Sequence, residues 1–229
     1  MTKKKHIDFQ MVMASSVHDM KNSLSMLLQS FEDWHGRNPA SDPVEAKALS
    51  GMHYEAARLQ TNLLQLLSLY RLDLKTLPMQ IEEHFVLDLL EEQVAHNQVL
   101  LDNLNIEIVL DCDPDFVWYV DSHLLGGVIN NVLVNASRYT KDKVLISARE
   151  ENGGLNIRID DNGPGYPKAM LDQAKPATRG VDFLSNSSNL GLYFCQEIAS
   201  LHQNKGREGC ITLSNDSSLG GSRFEIWLP

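Results

Sequence analysis

Across the N-terminal third of the chain the apolar residues recur in alternating steps of four and three, and that rhythm restricts the fold more than any other feature. One run holds Met13, Val17, Met20, Leu24, Leu27, Phe31 and Trp34, and a second holds Leu49, Met52, Ala56, Leu59, Leu63, Leu66 and Tyr70. A seven-residue repeat of this kind draws one apolar stripe along a helix, and Leu64 and Leu67 widen the second stripe. Between the runs Gly36-Arg37-Asn38-Pro39-Ala40-Ser41 is rich in turn formers. Asp42-Pro43-Val44-Glu45 then reads as an N-cap, a proline at the first helical position and a capping-box glutamate. The joint is short, so the two helices are expected to run antiparallel. A lone hairpin leaves half of each wide stripe in water, and a homodimer forming a four-helix bundle is the economical solution. The competing arrangement packs the hairpin against the rest of its own chain.

Pro78 cannot continue a helix, and beyond it the pattern changes to alternating elements. Phe85 to Leu104 is amphipathic, Asn105 to Leu110 is strand-like and Ser122 to Tyr139 is helical. Lys143 to Arg149 and Leu155 to Asp160 alternate apolar with polar residues around Gly153-Gly154, which predicts a hairpin. A last helix over Leu190 to Gln203 precedes strands at Ile211 to Leu213 and Phe224 to Leu228, joined through Gly220-Gly221. The expected fold is therefore α plus α/β: a helical hairpin over residues 1–76, then an α/β sandwich with a mixed sheet over residues 77–229.

Composition narrows the function. With 20 basic and 30 acidic residues the formal charge is −10, which argues against a dedicated nucleic-acid binder, so an anionic ligand must be held by local groups. Cys112, Cys195 and Cys210 show neither paired nor metal-ligand spacing and read as reduced thiols of a cytoplasmic protein. The basic start Met1-Thr2-Lys3-Lys4-Lys5 is followed by Asp8, Gln10 and His18 where a secretion signal needs an apolar core. No apolar run reaches the roughly 18 residues of a membrane helix, so no membrane insertion is expected.

Chemistry-bearing residues fall into four groups. His18 lies one position past the stripe residue Val17 and points toward solvent, where a partly neutral imidazole is a nucleophile. Asp19 stands ready to accept its Nδ1 proton, and Asn22 follows one helical turn later on the same face. Asn131 and Asn135 lie four apart on one helix, where amide oxygens suit a hard cation such as Mg2+, with Arg138 and Tyr139 just beyond and Arg138 suited to phosphate. Asp161-Asn162-Gly163-Pro164-Gly165 follows a strand, with glycines that let backbone approach a ligand and a carboxylate at the strand end. Asn189-Leu190-Gly191-Leu192 opens a helix whose first amides suit phosphate oxygens.

In this order the segments resemble the catalytic core of sensor histidine kinases. Ser16 to Asn22 is similar to that family's phosphoacceptor box, Asn131 to Thr140 to its asparagine box, Asp161 to Gly165 and Asn189 to Leu192 to its two glycine boxes, and Gly220 to Pro229 to its last strand. The resemblance implies a Bergerat-type ATP site of the superfamily that includes DNA gyrase and heat-shock chaperones. Asp161 would then accept from the adenine amino group, Tyr139 would flank the base, Asn135 would ligate Mg2+, and Asn131 and Arg138 would contact phosphates. Gly163, Gly165, Gly191, Leu192 and Ser222 would complete the nucleotide-binding set, and Phe183 would belong to a lid between Lys168 and Ser188.

The implied activity is ATP-dependent autophosphorylation of His18 with Asp19 as base, then transfer to an aspartate on the receiver domain of a response regulator. Asn22 stands where the family orients water against the regulator's acyl phosphate, which implies phosphatase activity as well. With a short tail ahead of the first helix, the expectation is a kinase lacking its own sensor domain, regulated through a partner such as a separate sensor protein, through the hairpin surface or through the regulator itself. Two other classes fit less of the chain: a non-catalytic phosphotransfer or scaffold dimer, and a protein serine kinase of the same ATPase superfamily. Two departures from the family pattern stand out, Ser23 in place of a frequent proline and Asn189 in place of the first glycine of the second glycine box.

Overall fold

The computed structural model describes residues 9–37, 43–173 and 190–229. The chain divides into two compact units that meet between Thr76 and Leu77.

The first unit is built from α1 (Phe9–Arg37) and α2 (Pro43–Asp73), packed side by side. Gln60 Nε2 donates to Ser25 Oγ at 2.8 Å and ties one helix to the other near their midpoints, as antiparallel neighbours require. The connecting residues 38–42 lie outside the described residues. Ser23 returns its hydroxyl to the Asp19 carbonyl at 2.9 Å, and α1 passes through this position unbroken, so serine carries the helix where proline would have kinked it. Burial departs from the expected stripe. On α2 the buried residues include Tyr54, Thr61 and Gln65, whereas Met52, Leu59 and Leu66 remain 60%, 52% and 49% exposed. Val17 is buried and Leu24, Ala56, Leu63 and Tyr70 are half-buried, so a single chain covers one edge of the expected stripe and leaves the other in water.

The second unit contains β1 (Glu82–Phe85), α3 (Val86–His96), α4 (Gln98–Asn103), β2 (Glu107–Asp111), β3 (Val117–Val120), α5 (Ser122–Tyr139), β4 (Lys143–Glu151), β5 (Gly154–Asp161), α6 (Lys168–Gln173), α7 (Leu190–Leu201), β6 (Gln203–Asn204), β7 (Arg207–Glu208), β8 (Cys210–Ser214) and β9 (Arg223–Leu228). Its main sheet has the order β2-β4-β5-β9-β8, with β2 parallel to β4 and the other pairs antiparallel. The sheet is therefore mixed, and α3, α5 and α7 lie side by side against one of its faces. Val144, Ile146 and Ala148 of β4, Leu155, Ile157 and Ile159 of β5, and Phe224, Ile226 and Leu228 of β9 all point into this core. Period-two alternation sends their neighbours to the other face. There Arg158 bridges Glu225 at 2.8 Å and Glu151 at 2.6 Å, while Arg223 grips the buried Asp160 at 2.9 and 3.1 Å.

Local chemistry explains where the expected boundaries moved. The amphipathic run over Phe85 to Leu104 is two helices because Asn97 interrupts it, its amide donating to Gln93 O and Asn130 Oδ1 instead of facing solvent. Asn105 takes a left-handed φ of 54° and cannot belong to a strand, so β2 starts two residues later. Asn152 and Gly153, both at positive φ, form the two-residue turn between β4 and β5, one position before the expected glycine pair. The short β1–β3 and β6–β7 pairs went unexpected, since each pairing is too brief to show a period.

His202 ends α7. Its Nδ1 donates to the Ile198 carbonyl at 2.9 Å and its Nε2 accepts the Asp121 N–H at 3.2 Å, which defines a neutral ring. Burial pushes its pKa below the ordinary value of 6.5, with the Ile198 carbonyl and the Asp121 carboxylate opposing the shift. Between the folded and unfolded pKa values the unfolded chain binds more protons, so stability rises with pH there and is lost as pH falls below about 6.5. We expect a lower urea midpoint at pH 5.5 than at pH 7.5, and a smaller difference in His202→Gln. An equal difference in the two proteins would refute this origin.

Candidate functional site

Asp161 ends β5 as the centre of a tight polar cluster. Its Oδ1 accepts the N–H of Gly163 at 2.7 Å and that of Ser222 at 3.1 Å, and its Oδ2 accepts the Ser222 hydroxyl. Three donors on one carboxylate fix its plane. The adjacent Asp160 faces the opposite side of the strand and is spent on Arg223, which separates the roles of two consecutive aspartates. Gly221 is required by this packing, since a Cβ there would lie 2.4 Å from Asp161 Oδ1. Gly163 is required likewise, because its Cβ would lie 2.5 Å from the Tyr139 carbonyl, where the loop presses on the end of α5.

Several residues around this loop escaped the sequence reading. The Asn162 side-chain Oδ1 accepts the N–H groups of Lys141, Asp142 and Lys143 at 3.1 to 3.3 Å, pinning the turn after α5 to the glycine loop. Asn215 clasps the backbone of Tyr166 from both sides, at 2.7 and 3.1 Å, next to Gly165 at φ 83°. The Tyr166 phenol is held above its ordinary pKa first by burial, with its bond to Ser222 pulling the other way. The one signal for Asn162 was its place inside the motif; Asn215 and Tyr166 carried none.

The asparagine pair of α5 behaves asymmetrically. Asn135 is exposed and donates its Nδ2 to Asn131 Oδ1 at 3.2 Å. Its own carbonyl oxygen has no protein partner among the described residues. Asn131 is 3% exposed and donates its amide to Cys195 Sγ at 3.2 Å. The Asn131 amide is engaged inside the protein, and its position fits it to orient Asn135. Gly191 of α7 lies flat against the same amide, where a Cβ would come within 2.7 Å of Asn131 Oδ1. Leu192 is buried, so only its backbone amide at the start of α7 is available to a ligand. Arg138 and Tyr139 are exposed on the last turn of α5, the guanidinium carbon 5.5 Å from the ring centroid. Asn189 and Phe183, the latter expected in a lid, lie outside the described residues.

Among the described residues no three His, Cys, Asp or Glu side chains gather into a metal-binding group. The free carbonyl oxygen of Asn135 fits Mg2+, which takes few protein ligands beside water and phosphate oxygens.

In the helical unit His18 and Asp19 are both solvent-exposed. Asn22 Nδ2 donates to His18 Nδ1 at 3.3 Å, whereas Asp19 Oδ1 stands 3.7 Å from the same nitrogen. The expected Nδ1–Asp19 hydrogen bond is therefore replaced by one from Asn22, because the residue four positions on lies directly over the ring. With Nδ1 accepting, the neutral ring carries its proton on Nε2. No helix among the described residues is long and apolar enough to cross a membrane.

Residues 120–229 match the family of "Histidine kinase-, DNA gyrase B-, and HSP90-like ATPase". Sensor protein PhoQ of Escherichia coli (strain K12) is 29% identical over 145 residues, which are 63% of this chain and 29% of that protein. The Salmonella typhimurium (strain LT2) virulence sensor histidine kinase PhoQ is 28% identical over the same length and 28% of its own. The match thus spans under a third of these relatives. Among solved structures, Acinetobacter baumannii histidine kinase AdeS has a TM-score of 0.59 at 21% identity, covering 92% of this chain and 96% of that one. Full-length ShkA, solved with AMPPNP, has a TM-score of 0.61 at 16% identity, covering 95% of this chain and 45% of that one. At these identities the structures establish a shared fold. The matched ATPase segment and these relatives support a catalytic ATPase core similar to that of sensor histidine kinases.

Proposed function

We propose that the chain binds ATP with Mg2+, phosphorylates its own His18 and passes the phosphoryl group to an aspartate on the receiver domain of a response regulator. The observation that carries this reading is the pairing, in one chain, of the Asp161–Gly163–Ser222 socket with an exposed His18 that Asn22 and Asp19 flank. Asp161 accepts from the adenine amino group, Tyr139 flanks the base, and Gly165 shapes the loop. Arg138 and the first amides of α7 at Gly191 and Leu192 meet phosphate oxygens. Asn135 holds Mg2+, which when bound neutralises charge on the phosphates.

In the transfer step His18 Nε2 attacks the γ-phosphorus. An N–P bond forms, the bond from that phosphorus to the bridging oxygen breaks, and ADP leaves with the electron pair. Nε2 must offer its lone pair, so the reacting ring carries its proton on Nδ1, and Asp19 takes up that proton as charge develops. The resting contact from Asn22 favours the other tautomer, so tautomer exchange precedes transfer. The half-exposed stripe of Met52, Leu59 and Leu66 supports a homodimer through the hairpin, where a second copy supplies the missing half of a four-helix bundle.

The reading is tested by incubating the protein with γ-labelled ATP and Mg2+. Label lost in acid and retained in alkali is expected; acid-stable label would instead favour a serine kinase, and no label with no nucleotide binding a scaffold. We further propose that Asn22 orients water against the regulator's acyl phosphate. Asn22→Ala is expected to slow dephosphorylation of the regulator roughly 100-fold. Autophosphorylation should hold or rise, because the variant releases Nδ1. Undiminished removal of regulator phosphate would overturn this role.

A further inference from the structure

One buried group near the nucleotide site is unused by the mechanism above. Cys195 is fully buried on α7, one helical turn beyond Gly191, so both residues face the Asn131 amide. Burial pushes its thiol up to about 12, with the Asn131 contact working against the shift, and the sulfur is a neutral acceptor.

We propose that Cys195 is a positioning residue for the metal-bound nucleotide, acting through Asn131 on Asn135. The inference rests on the reading that Asn135 holds the cation. A carboxamide has a donor end and an acceptor end, and turning it by half a turn exchanges them. Because Cys195 Sγ takes the donor end of Asn131, the acceptor end must face α5, where it receives Asn135 Nδ2 at 3.2 Å. Asn135 can meet that acceptor only with its own NH2 group, which turns its carbonyl oxygen outward. A hard cation needs that oxygen, and the opposite amide orientation would present two N–H groups to it. The sulfur thus sets the polarity of a two-amide relay that ends at the metal. Gly191 leaves room for the relay, since a side chain there would displace the Asn131 amide.

The test uses the full chain and measures ATP affinity across a Mg2+ titration and in excess chelator, with thermal melting as a check on folding. Cys195→Val fills the cavity without offering an acceptor, and Cys195→Ser restores one. We expect Cys195→Val to raise the Mg2+ concentration for half-maximal ATP binding roughly tenfold, the lower end for partners of a metal ligand, because Cys195 stands one residue further out than Asn131. Its chelator-only affinity should stay unchanged, and Cys195→Ser should lie within about twofold of the parent. A Cys195→Val protein with parental Mg2+ dependence would show that the sulfur only fills space and would overturn the proposal. An equal loss in Cys195→Val and Cys195→Ser would overturn it as well. Asn135→Ala separates the two layers: if it leaves Mg2+ dependence unchanged, the cation reading itself fails, whereas a shift there without one in Cys195→Val defeats only the relay.

Discussion

Replacing His18 by Ala is expected to remove all acid-labile phosphate formed from ATP, down to the level of a control without protein. His18 is exposed on α1, so truncation there opens no cavity, and alanine is the strongest helix former. Nothing about the variant's folding should confuse the result. Among the other histidines whose side chains are described, none shares the setting of His18. His202 has both ring nitrogens engaged and is buried, and His53 is buried on α2. His84, His96 and His123 belong to the second unit and lack a carboxylate and amide arranged as Asp19 and Asn22 are about His18. ATP affinity should be unchanged, because Asp161 and its donors lie in the second unit while His18 lies in the first. That pairing of outcomes distinguishes loss of the acceptor from loss of the nucleotide. Label that persists in His18→Ala at the parental level, with the same acid lability, would disprove the assignment. Asp19→Asn gives the graded companion result, a slower but measurable transfer, since the ring keeps its nucleophile and loses only the group that accepts the Nδ1 proton.

What was legible in the sequence is what depends on local pattern. The α5 span emerged whole from Ser122 to Tyr139 because its start is capped by Asp121, whose Oδ1 accepts the Leu124 N–H at 3.0 Å, and its apolar face never breaks. Strands β4 and β9 alternate buried with less buried residues because one sheet face is helix-covered and the other is not. Illegible were the features that depend on a partner distant in sequence. The contact of Asn131 with Cys195, sixty-four positions away, has no local signature. Asn162 reads as a turn residue until three backbone N–H groups some twenty positions earlier converge on its oxygen. The apolar stripe of the hairpin shows the same limit in reverse. Its period is strong, yet one chain leaves Met52, Leu59 and Leu66 about half exposed, because a repeat in sequence encodes burial without naming the surface that supplies it.

Asp161→Asn is expected to weaken ATP binding 100-fold or more and to erode discrimination against GTP. In the parent both carboxylate oxygens are acceptors, already meeting Gly163 N, Ser222 N and the Ser222 hydroxyl. An amide has one acceptor end and one donor end. If its oxygen keeps the Gly163 and Ser222 N–H groups, its NH2 takes the place of Oδ2 and points a donor at the adenine amino group, which is itself a donor. Turning the amide over instead puts the NH2 against two backbone N–H groups in a buried pocket, where an unsatisfied group costs about 1–3 kcal/mol. Either way a favourable charged contact becomes a repulsive one, and about 2.8 kcal/mol corresponds to the 100-fold loss. Guanine carries a carbonyl oxygen at the position of the adenine amino group, so the first orientation suits GTP better than ATP, and the ratio of ATP to GTP affinity should fall. Because asparagine matches aspartate in size, Gly163 and Gly221 need not move, and the variant should melt within a few degrees of the parent. Calorimetric titration with each nucleotide decides the matter: parental ATP affinity, or an equal loss for ATP and GTP, would remove Asp161 from the role of base reader.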